Sequence, residues 1–220
     1  MPRCPRSLRE NPELLLYWWR IFISFALTGT HVLAPFKPST RDESVHLEQM
    51  AFAMELFALA HEYGHHRLLH GRAVVDETQT KEEEFEADMF ALKACERVER
   101  AERYLWIAAC ELPNPYLSTG AGGVLLLGSL EMFRQVKNKL FENRRFDSHP
   151  SYAQRTSKIK SRSVLEPTKL ASALDFIASA ENILRCVQLE LGPVMESFPF
   201  ERLAAILPDD WEVAQLGTTG

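Results

Sequence analysis

Between Ala58 and Gly71 the chain reads ALAHEYGHHRLLHG, which gathers four of its seven histidines, His61, His65, His66 and His70, around one glutamate, Glu62. Their spacing sorts them. On a helix turning about 100° per residue, His65 lies about 40° from His61 and one turn further on, so both imidazoles project in one direction. Met50, Met54, Phe57, Ala58, Leu68 and Leu69 fall within about 80° of that direction, which makes it the apolar, inward side. Glu62 lies about 60° from His65 and can approach the same space. His66 and His70 point elsewhere, at roughly 140° and 180°, and receive no catalytic role, nor do Tyr63 and Gly64. Two imidazoles one turn apart can hold a tetrahedral Zn²⁺ from one side, and the carboxylate between them can then take a proton from the metal's water. The five letters HEYGH are weak alone: a chain with 7 His and 23 Glu in 220 residues carries an HExxH by chance about 2% of the time. Two core histidines satisfied by their neighbours give the same pattern.

The run KEEEFEADMFAL, residues 81–92, offers the missing ligand. Its plain alternative is an acidic, solvated helix face. With Glu84 at zero on the wheel, Asp88 is at about 40°, amid Ala87, Ala91, Leu92 and Cys95, while Glu82, Glu83, Glu86, Lys93 and Arg97 gather on the other side. Two carboxylates therefore face inward, and a buried anion requires a cation or a network of donors. A zinc ion on His61 and His65 supplies the cation. One of Glu84 and Asp88 can be the third ligand, and the other can accept the second ring N–H of a ligand histidine and fix its tautomer. Spacing alone allows either assignment.

HEYGH followed by Glu84-Phe85-Glu86-Ala87-Asp88 resembles the HExxH plus ExxAD signature of gluzincin-type zinc metallopeptidases, as in HtpX-like enzymes. That resemblance implies Glu84 as the third ligand and Asp88 as its support. It extends to Ser148-His149-Pro150-Ser151 with Arg155 downstream, which is similar to the SHP or THP segment followed by Arg in the same enzymes and implies that His149 lies near the substrate. The matching islands fall within residues 55–160. Only 18 residues separate His65 from Glu84; this spacing and HHRLLH look more like ImmA/IrrE-type peptidases, and the distal SHP is also similar to Lit-type peptidases.

The chemistry so implied is hydrolysis of a peptide bond in a protein or peptide substrate. Zinc on His61, His65 and Glu84 would lower the pKa of a water at its open position toward about 7 and polarise the scissile carbonyl. Glu62 would take the water's proton as general base and deliver it to the leaving amine. His149 could donate to the oxyanion, against the simpler reading of a helix-capping or surface histidine beside Pro150. Arg155 could do no more than pair with a carboxylate. The glycine-rich Thr119–Gly123 lacks phosphate-loop spacing and reads as a flexible turn. The rival functions are a zinc-binding regulatory or interaction protein without proteolytic activity, and a metal-free helical interaction module.

These groups need elements to position them. The 220 residues, 46% of them hydrophobic, can bury one core, and the pattern is mainly α, with a small edge sheet possible at RAVVDE, residues 72–77. The expected architecture is a compact, zincin-like metallopeptidase domain with HExxH on its active helix. Capping boxes at Thr40-Arg41-Asp42-Glu43 and Thr80-Lys81-Glu82-Glu83 predict helices from there to about His70, ended by Gly71, and from about Lys81 to Leu105. Residues 112–123 read as a loop and 124–141 as a helix. Pro150 stands near the first position of another, and 168–191 and 196–206 give two more. The chain divides into an N-terminal apolar helix and connector (1–40), a metallopeptidase core (41–165) and a C-terminal helical extension (166–220) packed on the same domain, with no repeat or low-complexity tract.

A formal charge of −5 argues against nucleic acid as a partner, because phosphate binding needs clustered cations. Four scattered cysteines, Cys4, Cys95, Cys110 and Cys186, suggest neither a disulfide framework nor a thiolate zinc site, and make a reducing cytoplasm the default location. Leu14 to Leu27 is the one stretch that could touch a membrane, but it spans 14 residues with Arg20 inside, whereas a spanning helix needs about 20 apolar residues. A buried or docking helix is the better reading. Oligomeric state cannot be read from the pattern.

Overall fold

A computed structural model describes residues 40–71, 77–106, 114–140, 150–161 and 167–197. Among them the protein is mainly helical, with six helices and no strand. The helices are α1 (Arg41–Leu68), α2 (Glu77–Trp106), α3 (Pro115–Thr119), α4 (Ala121–Leu140), α5 (Tyr152–Lys160) and α6 (Pro167–Ser197). Residues 72–76 of the proposed edge strand, the apolar segment 14–27 and His149 lie outside the described residues. Among the described residues, no helix is long and apolar enough to cross a membrane.

Packing divides the chain into a larger unit, Lys37–Glu131 with Phe146–Leu184, and a smaller one, Met1–Phe36 with Met132–Arg145 and Arg185–Gly220. The larger unit therefore takes in part of the C-terminal third. Its core is built on Phe57, Leu92, Leu117, Val124, Ile159 and Ile177, all but sealed from solvent. In the smaller unit Cys186 is disulfide-bonded, which corrects the expectation of cysteines without a disulfide and which a reducing compartment does not favour. Spacing in sequence conveys no pairing between distant cysteines. Cys95, in the larger unit, is buried and forms no disulfide.

Helix α1 starts where its cap requires: the Thr40 side chain accepts from the Glu43 N–H at 3.2 Å. It ends before Gly71. Leu69 adopts a left-handed conformation (φ 65°), its N–H donates to the His66 carbonyl at 3.3 Å, and the His70 N–H donates to the His65 carbonyl at 3.0 Å. This pair of bonds is a Schellman closure, with leucine at the position glycine normally fills. Left-handed leucine costs about 1–2 kcal/mol, so residue type gave no warning of the stop. Leu68 and Leu69, placed by the wheel on the inner stripe, are consequently 42% and 52% exposed.

Helix α2 begins at Glu77, four positions before the expected Lys81, so Thr80 lies inside the helix. The segment read as a loop contains α3, opened by Asn114. The Asn114 side chain accepts from the Tyr116 N–H at 3.0 Å and donates to the Gln49 carbonyl on α1 at 2.8 Å, with Pro115 in the first turn. Gly120, at φ 82°, turns the chain directly into α4. Gly122 and Gly123, read as part of a flexible turn, are helical and buried: a Cβ on Gly122 would stand 2.7 Å from that of Ala53, and one on Gly123 would stand 2.6 Å from the Phe57 ring. They let α4 lie against α1. Ser151 caps α5 through a full capping box with Gln154, which leaves Pro150 before the cap instead of within the first turn. Helix α6 continues unbroken past Pro193 to Ser197, where the sequence suggested a break; a proline removes one backbone bond and the helix retains the rest.

Candidate metal centre

Helices α1 and α2 pack against each other, and small residues set how closely. Ala53, Phe57, Ala60, His61 and Gly64 form the buried face of α1. A Cβ on Gly64 would come within 3.3 Å of the Ala87 Cα and the Phe90 Cβ on α2, so the crossing is tightest beside Ala87, between Glu84 and Asp88 in sequence neighbourhood. Close approach of the backbones here brings short acidic side chains of α2 to the imidazoles of α1.

The result is a convergence of three donors. The Nε2 atoms of His61 and His65 are 3.1 Å apart; Glu84 Oε2 is 3.5 Å from His61 Nε2, and Glu84 Oε1 is 3.4 Å from His65 Nε2. His61 and Glu84 are buried and His65 is partly so. Donors at about 2.0–2.2 Å around a tetrahedral ion stand about 3.3–3.6 Å from one another; the two nitrogens are near that spacing, and Glu84 reaches one imidazole with each carboxylate oxygen. The group can hold a metal ion.

The surrounding groups fix which nitrogen faces inward. Asp88 is fully buried, and its Oδ1 lies 3.0 Å from His61 Nδ1, so the His61 ring donates from Nδ1 and leaves Nε2 for the centre. Arg155, carried in by α5, holds Asp88 with two bonds, from Nε to Oδ2 at 2.7 Å and from Nη2 to Oδ1 at 2.5 Å. Its Nη1 also approaches Glu84 Oε2 at 3.5 Å. The inward carboxylates thus have a protein cation beside them. Glu82 and Glu86, read as outward, are exposed.

On the other side, the chain reversal at Leu69 swings the His70 ring under His65, with Nδ1 to Nδ1 at 2.9 Å, and His70 Nε2 reaches Glu86 Oε2 on α2 at 3.1 Å. The wheel had turned His70 away, because it extended the helix two residues past its end. Glu62, one position along from His61, is exposed, and its charge acts on His65. His66 and Tyr63 are exposed too, and the Tyr63 ring stands 5.9 Å from that of Phe90.

The two ligand imidazoles differ electrically. Burial alone would push His61 down, but its hydrogen bonds to Asp88 and Glu84 overcome this and hold it at about 9. Burial pushes His65 below its ordinary value, aided by repulsion from His61 and His70 and opposed by Glu84. In the metal-free protein at neutral pH, His61 is therefore a cation and His65 is neutral: a proton on His61 Nε2 stands where a metal would, and an entering ion must displace it. The sign for stability follows. His61 is raised above its ordinary 6.5 to about 9, so its contribution is fully present below pH 6.5 and is lost as pH rises to about 9. Chelator-treated wild type is expected to lose stability over that interval, by at most about 3 kcal/mol and less after solvent screening, as read by urea unfolding at pH 6.5 and pH 9. His61→Ala removes that slope.

No protein-family model, curated protein or solved structure matches this chain. The likeness to gluzincins accordingly rests on its three short motifs.

Proposed function

We propose that this chain is a zinc-dependent metallopeptidase that hydrolyses peptide bonds in a protein or peptide substrate, with a zincin-like core formed by α1 and α2. One observation carries the reading: two imidazole nitrogens and a glutamate carboxylate converge closely enough to hold one metal ion, with the exposed Glu62 between the two histidines in sequence. Nitrogen and oxygen donors in that ratio suit Zn²⁺, and three protein ligands leave a fourth position open, as catalytic zinc requires. When bound, the ion supplies Lewis acidity that lowers the pKa of water and polarises a carbonyl.

The protein's own groups do the rest. Asp88 holds the His61 ring in the tautomer that presents Nε2, and Arg155 holds Asp88 in place with two hydrogen bonds. Glu62, which is exposed, would take the proton of the attacking water and deliver it to the leaving amine.

A metal-free reading has one observation in its favour, since Arg155 already gives Asp88 a cation. Metal analysis of the purified full chain beside His61→Ala and Glu84→Ala separates the two. Stoichiometric zinc in wild type, lost in both variants, is the expected result; wild type that binds no zinc when zinc is supplied overturns the proposal.

A further inference from the structure

The His70 ring is bonded at both nitrogens. It stands between His65 Nδ1, at 2.9 Å, and Glu86 Oε2, at 3.1 Å, and its side chain is only 7% exposed although Glu86 is 63% exposed. The backbone closure at the end of α1 uses the His70 N–H and the His65 carbonyl and makes no demand on the residue 70 side chain. Another residue would close the helix as well, so the closure does not account for an imidazole there.

The proton positions can be worked through from the centre outward. His65 Nε2 faces His61 and Glu84, so as a ligand it must present a lone pair there, and the His65 proton must sit on Nδ1. That proton needs an acceptor. The atom in reach is His70 Nδ1, which accepts only when His70 carries its own proton on Nε2, and that proton points at the Glu86 carboxylate. Each group permits one arrangement, and the arrangements agree. On the opposite flank Asp88 takes the Nδ1 proton of His61 directly.

We propose that His70 and Glu86 form an outer relay that orients His65 and fixes its tautomer for the metal, the counterpart through one intervening ring of what Asp88 does for His61. The inference rests on the metal reading of the centre and assigns positioning roles to two residues outside the HExxH and ExxAD ligand set. It also accounts for the left-handed Leu69: the reversal it makes is what brings residue 70 back beneath His65. The relay ties the C-terminal end of α1 to α2 a second time, and the Gly71 N–H, 3.5 Å from Glu83 Oε1, adds to that tie.

The test is zinc affinity of the purified full chain, measured by competition with a chromophoric chelator, for wild type, His70→Ala, His70→Asn and Glu86→Ala. The visible spectrum of each protein loaded with Co²⁺ reports ligand geometry separately from affinity. His70→Ala is expected to weaken zinc binding about 10- to 100-fold and to alter the cobalt spectrum. His70→Asn places an amide oxygen near the lost Nδ1, can accept from His65, and is expected to recover most of the affinity and the wild-type spectrum. Glu86→Ala, at an exposed position that keeps its helix, is expected to weaken binding less than His70→Ala does. Undiminished affinity and an unchanged spectrum in both alanine variants overturn the relay and leave the metal centre standing. Equal losses in His70→Ala and His70→Asn also overturn it, because a packing role makes no distinction between acceptor and methyl. Should His70→Ala fail to fold by circular dichroism, Glu86→Ala decides alone. Wild type without zinc affinity overturns the centre itself, and the relay with it.

Discussion

Glu62→Gln is expected to retain stoichiometric zinc and lose about 10²- to 10⁴-fold in kcat/KM toward a cleavable peptide, the range for removing a positioned general base. The side chain is exposed and outside the ligand set, so neither the metal content nor the unfolding midpoint has a reason to move. That separation gives the variant its value: His61→Ala or Glu84→Ala abolishes activity by removing the ion, which a regulatory zinc protein would also lose, whereas only a hydrolase needs the base. Zinc content and peptidase rate measured on the same preparation check it. Loss of metal in Glu62→Gln, or activity equal to wild type, contradicts the role assigned to this carboxylate.

Above about pH 9, where His61 has lost its proton, Arg155→Met is expected to destabilise the metal-free protein by about 3–5 kcal/mol, because it leaves a carboxylate buried without a cation. Asp88 has no solvent exposure and takes two bonds from the one guanidinium; its other neighbour, the His61 ring, is a weaker partner once pH exceeds about 9. Asp88→Leu alone is expected to be costly for the mirrored reason, a guanidinium left over in a largely buried place. The double variant Arg155→Met/Asp88→Leu removes both charges and is expected to cost less than the sum of the singles, since an apolar pair often replaces a buried ion pair at little cost. Urea unfolding in the presence of chelator measures all three. Additive effects, or a loss under 1 kcal/mol for Arg155→Met, would show the pair to be incidental.

Much of the centre was legible because two helices obey one periodicity. The wheel put His61 and His65 on the inner side of α1 and separated Glu84 and Asp88 from the acidic residues around them, and the buried and exposed sets of α2 follow that division. Chemistry then asked for a cation opposite the buried carboxylates. The sequence could not say that this is met in part by Arg155, 67 residues beyond Asp88: such a partner is a matter of tertiary packing, and only the motif resemblance drew attention to it. His70 was lost for a different reason. Helical periodicity holds only while the helix lasts, and Leu69 ends it in a conformation that leucine seldom adopts. Within the expected loop 112–123, residues 115–119 and 121–123 were misread because glycine and proline suggest turns, whereas Gly122 and Gly123 serve the contact with Ala53 and Phe57. Small size, not flexibility, is what those positions require.

The donors of the centre come from opposite sides of a helical hairpin, two from α1 and one from α2, with 18 residues of chain between His65 and Glu84. An ion on all three is a removable staple across that hairpin. Because it would bind the folded pair of helices and leave on unfolding, it would stabilise the fold by an amount that rises with the free ion concentration relative to its dissociation constant. Added stability and the proposed chemistry would then rise together, both set from outside by supply of the metal.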